Sequence, residues 1–140
     1  MKQEDKELLL KDLCARLPYG VFCNIGLDYP LPLQSLFVDK LDGILLDFYK
    51  DGKDYQVYLS EVKPYLFPLS SMTDKQKGEY NGLKDMVPSY YFGYGAPPEE
   101  DFAELYDNWR SIDYLNANHF DYRGLIEDGL AIDATGKNIY

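Results

Sequence analysis

Three residues at two-residue steps, His119, Asp121 and Arg123, are the best candidates for chemistry in the 140-residue chain, and His119 is its only histidine. They lie in the stretch NHFDYRGLIEDGLAID, residues 118–133. In an extended segment, alternate side chains point the same way. His119 could then act as a general base, Asp121 could orient it, and Arg123 could hold an anion, which is the outline of a small hydrolase. No nucleophile completes the set, because neither Ser70, Ser71 nor Cys14 stands in a recognisable activating motif. The same residues also read as a helix exit. Asn116 and Asn118 suit a left-handed cap, and His119 would meet the negative end of the helix dipole. Phe120 and Tyr122 would then pack inward, with Arg123 paired to a carboxylate.

Other chemistries lack their residues. There is no phosphate loop, dinucleotide fingerprint or zinc-ligand pairing. Asp121, Glu127, Asp128 and Asp133 supply oxygen atoms but not the spacing of a calcium loop. No cofactor and no metal is expected. Cys14 and Cys23 cannot build a disulfide framework and read as buried thiols of a reducing compartment.

The net charge is −10, and from Glu99 to Asp133 ten acidic residues face only Arg110 and Arg123. Affinity for a phosphate backbone needs clustered Lys and Arg, so direct nucleic-acid binding is not expected. An acidic face beginning at Glu99, Glu100, Asp101 and Glu104 instead suits solubility or a basic protein partner. A Pro- and Gly-rich stretch, 87–101, carries Tyr90, Tyr91, Phe92 and Tyr94. It either folds its rings over the core or presents them as a recognition loop. No window is long and apolar enough for a membrane span, and MKQEDKELLLKDL has no signal-peptide character. The expected setting is cytoplasmic, without a membrane partner.

Elements that would position these residues follow from periodicity, and all belong to a single domain, 1–140. Leu9, Leu10, Leu13, Cys14 and Leu17 recur at helical spacing over 4–17, with Glu7, Lys11, Asp12 and Arg16 on the other face. VFCNI (21–25) reads as a strand, and the prolines of GLDYPLPL exclude a central ladder position. Strands over 34–40, 44–50 and 54–60 are joined at Asp42-Gly43 and Asp51-Gly52, dipeptides suited to tight primed turns. Pro64 and Pro68 are expected to close the β-region. Thr73 and Gln76 form a capping box for a helix over roughly 74–86. Residues 100–118 form one further helix or two, and GLAID returns as a short edge strand after Gly129. The fold class is α+β: an N-terminal helix, a four-stranded antiparallel meander curled toward a small open barrel, and two or three C-terminal helices.

Four phrases, DLCARLPYGVFCNI, EVKPYLFPLSSMT, LNANHFDYRGLIEDGLAIDA and the terminal NIY, carry a resemblance. Together they resemble short proteins of gut Bacteroides genomes and of their phages and prophages, over the first 25 residues, 61–73 and 115–140. The resemblance implies a small accessory protein of a mobile element and brings no catalytic residues with it. The functional expectation is a non-catalytic protein-interaction module using the acidic face or the aromatic loop, with the hydrolase as the competing reading.

Overall fold

The computed structural model describes residues 1–41, 43–85 and 110–140. Helix α1 spans Gln3–Arg16 and passes into a 3-10 turn, Leu17–Tyr19, where Pro18 ends it. Strands follow as β1 (Phe22–Asn24), β2 (Leu31–Asp39), β3 (Gly43–Lys50), β4 (Lys53–Tyr58) and β5 (Lys63–Pro68). Helix α2 covers Asp74–Asp85, α3 covers 110–117, and two short strands, β6 (Phe120–Asp121) and β7 (Ile132–Asp133), complete the set.

The protein is α+β with one open, mostly antiparallel sheet in the order β4-β3-β2-β1-β5-β6, and β7 joins it on β5. The β2-β3-β4 meander stands as expected. Leu46 faces Val57 and Phe48 faces Tyr55, and these side chains turn toward α1. The expectation of a four-stranded sheet curled toward a barrel is corrected: among the described residues there are seven strands, and the sheet does not close. Proline placement explains the miscount. Pro32 lies in β2 where that strand meets β1 alone, ahead of the β2–β3 ladder that begins at Leu33. Pro64 and Pro68 occupy the second and last positions of β5, where a missing N–H interrupts little. The segment expected to close the β-region is thus a strand with three partners, antiparallel to β1 and parallel to β6 and β7. Phe67 N–H donates to the His119 carbonyl and Ala134 N–H donates to the Leu66 carbonyl, both at 2.8 Å. Those two groups of β5 flank one peptide bond and point apart, so β6 and β7 take opposite edges of the strand.

The main core forms between α1 and the sheet around Leu9, Leu13, Val21, Leu31, Leu46 and Phe48. A second cluster joins Leu66 to Leu125, Leu130 and Ala131, and a third joins Met72 to Leu115 and Phe120. The Thr73–Gln76 capping box is present in both directions, at 2.9 and 3.2 Å. Tyr114 of α3 donates to Glu79 of α2 at 2.6 Å, and burial followed by this carboxylate pushes the phenol up to about 12. Cys23 is buried, but Cys14 is exposed, contrary to expectation. The buried face of α1 is Leu9, Asp12, Leu13 and Arg16, and Cys14 is rotated about 100° away from Leu13.

Candidate functional site

The buried face of α1 carries an unexpected pair. Asp12 and Arg16, assigned by pattern to the solvent side, are both fully buried. Arg16 Nε donates to Asp12 Oδ2 at 2.7 Å, one helical turn away, and Arg123 Nη1 donates to Asp12 Oδ1 at 3.0 Å. One carboxylate therefore joins two guanidinium groups, and the remote arginine fixes the C-terminal segment to α1. Arg16 Nη2 donates to the Phe120 carbonyl at 2.7 Å, tying α1 to β6 as well. Tyr122 lies against both cations, its ring centre 5.4 Å from the Arg16 guanidinium carbon and 4.6 Å from that of Arg123. Its hydroxyl donates to Asn116 Oδ1 at 3.0 Å.

The three sequence candidates lie within or beside this cluster but serve separate partners. Asp121 accepts from the Leu125 and Ile126 N–H groups, one on each carboxylate oxygen, both at 2.9 Å. Both oxygens are thus committed to shaping the turn at 121–126, and neither orients His119. Arg123 is the second partner of Asp12. His119 closes α3: its N–H donates to the Asn116 carbonyl at 3.2 Å, and its own φ is +63°. The left-handed residue of the helix exit is therefore the histidine itself, where Asn116 and Asn118 suggested an asparagine.

The His119 ring stacks on Tyr140 with centroids 3.5 Å apart and planes 12° from parallel. Burial, and then the positive charge of Arg16, hold its pKa down at about 4. A base so weakened is unprotonated at neutral pH yet a poor acceptor of protons. Among the described residues, Arg16 Nη1 and His119 Nδ1 are the buried side-chain atoms without a hydrogen-bond partner.

Tyr140 has a part that periodicity did not suggest. Cys23 pairs with Pro64 in the β1–β5 ladder, and the next rung would join Phe22 to Tyr65. There the Tyr140 hydroxyl stands between the strands, accepting from Phe22 N–H at 3.1 Å and donating to the Tyr65 carbonyl at 2.7 Å. Its ring also meets Phe22 edge-on and Phe67 at a tilt. Burial raises its pKa, as it does for the Cys23 thiol, which Asp12 raises further.

Asp12, Arg16 and Tyr140 were missed in the sequence, although Leu9, Asp12, Leu13 and Arg16 do form one continuous helical face. The proposed binding residues Tyr90, Tyr91, Phe92, Tyr94, Glu99, Glu100, Asp101 and Glu104 lie outside the described residues. No group of three or more His, Cys, Asp or Glu among the described residues could hold a metal ion. No helix among them is long and apolar enough to cross a membrane.

These features define an α+β protein with an open sheet, whose C-terminal segment is locked to its first helix by a buried carboxylate–bis-arginine cluster. Comparison with family models, curated proteins and solved structures finds no match to the chain.

His119 makes stability depend on pH. Its folded pKa of about 4 lies below the ordinary histidine value of about 6.5, so the unfolded chain takes up a proton that the fold refuses. The contribution is fully present above pH 6.5 and is lost as pH falls toward 4. The ring is partly solvated, so the loss is on the order of 1–2 kcal/mol. Urea midpoints measured between pH 7 and 4.5 are expected to fall more steeply for wild type than for His119→Asn, which tolerates the same backbone. Equal slopes would assign the acid sensitivity to carboxylates alone.

Proposed function

We propose that the chain is a non-catalytic protein-interaction module, an accessory protein of a mobile element whose acidic surface docks a basic partner. The reading rests chiefly on the commitment of Asp121 and Arg123 to structural bonds, which leaves the chemical-looking constellation without an orienting carboxylate or a free guanidinium. The net charge of −10 favours a basic partner by long-range attraction. The competing hydrolase would need His119 accessible and titrating near neutrality, whereas its pKa is about 4.

Affinity capture from the native host, with wild type and a Glu99/Glu100/Asp101/Glu104→Gln variant, tests the reading. A partner of basic pI that is retained by wild type, lost by the variant and released as salt rises from 50 to 300 mM is expected, because screening shortens the reach of exposed charges. Identical partners on both baits would exclude the acidic face. A parallel Tyr90/Tyr91/Phe92/Tyr94→Ser bait asks the same of the aromatic stretch.

A further inference from the structure

The β3–β4 hairpin ends in an arrangement that sheet electrostatics disfavours. Its turn, Asp51-Gly52, has positive φ at both residues, +53° and +79°. The turn places Lys50 directly opposite Lys53 in the ladder. Two like charges facing each other across strands are destabilising, and a carboxylate is the usual remedy. Neither lysine has one within ion-pair distance among the described residues. Asp54 is opposite Tyr49, and by strand alternation it projects from the other face.

The lysines instead lie against aromatic rings. Lys50 Nζ is 4.6 Å from the Tyr29 ring centre, and Lys53 Nζ is 5.0 Å from that of Tyr55. The two phenol oxygens are 2.8 Å apart and joined by one hydrogen bond. That bond uses one of the two hydroxyl hydrogens and leaves the other to donate elsewhere. The hydrogen bond to Tyr55 raises the Tyr29 pKa, while Lys53 and Lys50 act in the opposite sense, so both ammonium groups are felt at the phenol. Tyr29, Lys50, Asp51, Lys53 and Tyr55 line a cleft of about 420 Å³. It opens at the end of the main core, because Phe48 and Tyr55, on the same face as the lysines, are the last side chains of the hairpin in contact with that core.

We propose that this cleft binds a phosphate group, with Lys50 and Lys53 neutralising its charge and the Tyr29–Tyr55 hydroxyl pair donating a hydrogen bond. Two cations against the single carboxylate of Asp51 leave the cleft net positive and favour an anion, and an oxyanion accepts from ammonium and phenol donors together. The site marks a local reversal of charge on a protein of net −10. Free phosphate and a phosphate monoester share this chemistry.

Titration of the ¹⁵N-labelled full chain with inorganic phosphate, glycerol 3-phosphate and sodium chloride at matched ionic strength tests the site. Saturable shifts are expected for the amides of Tyr29 and residues 50–55 with either phosphate and not with chloride. Tighter binding of the ester would assign the site to a phosphorylated organic ligand, and equal binding would assign it to the phosphate group alone. Lys50→Gln/Lys53→Gln is expected to weaken binding at least tenfold and Tyr29→Phe severalfold. The double variant should unfold at the same temperature as wild type or higher without phosphate, since it removes a like-charge pair. Chloride-induced shifts equal to those of phosphate, or undiminished binding by the double variant, would overturn the proposal.

Discussion

Asp12→Ala is expected to destabilise the protein by about 3–5 kcal/mol, because removing one member of a buried ionic network strands its partners. Arg16 has no exposed surface and would keep its charge while losing the one carboxylate it meets among the described residues. Arg123, which is 17% exposed, can turn toward water and would lose less. Desolvation of the Arg16 guanidinium supplies most of the penalty, so relief should come from removing the second charge. Asp12→Leu/Arg16→Met is accordingly expected to be more stable than Asp12→Ala alone, even though it changes two side chains. Urea unfolding of the two variants and wild type measures the difference. A loss below about 1 kcal/mol for Asp12→Ala would mean that the network is far better solvated than its burial indicates.

Tyr140→Ala is expected to cost about 3–4 kcal/mol through two losses that a second variant separates. Tyr140→Phe keeps the ring against His119, Phe22 and Phe67 but removes the hydroxyl. Phe22 N–H and the Tyr65 carbonyl then lose their bridge, a loss of about 1–3 kcal/mol where the groups stay dry. Hydrogen exchange at the Phe22 amide should accelerate in both variants, and the amides of β2–β4 should change little. Only the alanine variant uncovers the His119 ring. Its pKa should then rise from about 4 toward the ordinary histidine value, visible in the imidazole carbon shifts on titration. An unchanged Phe22 exchange rate in Tyr140→Phe would show that the hydroxyl is not the rung that joins β1 to β5.

Local chemistry made some features legible. The Asp51-Gly52 turn, the alternation of Leu46 and Phe48 with Val57 and Tyr55, and the Thr73–Gln76 box depend on residues close in sequence. Each appears where pattern places it. The exit of α3 at His119 was legible in kind, though the residue that turns left-handed is the histidine. Strand β5 was not legible, because its two prolines argue against a strand unless their positions at its ends are known. The ionic cluster was hidden for a similar reason. Asp12 and Arg16 look like an ordinary i,i+4 surface pair, and the further partners that make their burial tolerable, Arg123 for Asp12 and the Phe120 carbonyl for Arg16, lie 111 and 104 residues away.

By itself, the sequence determined where α1 begins and ends, the β2–β4 meander and the α+β class, since hydrophobic period and turn residues act over a few positions. The tertiary structure decided that the sheet extends beyond the meander to β5, β6 and β7, that His119, Asp121 and Arg123 serve different partners, and that Tyr140 bridges β1 and β5. Those outcomes depend on contacts between residues far apart in the chain. A buried charge or an unpaired backbone group acquires its partner only when such distant segments meet, and no local pattern records that meeting.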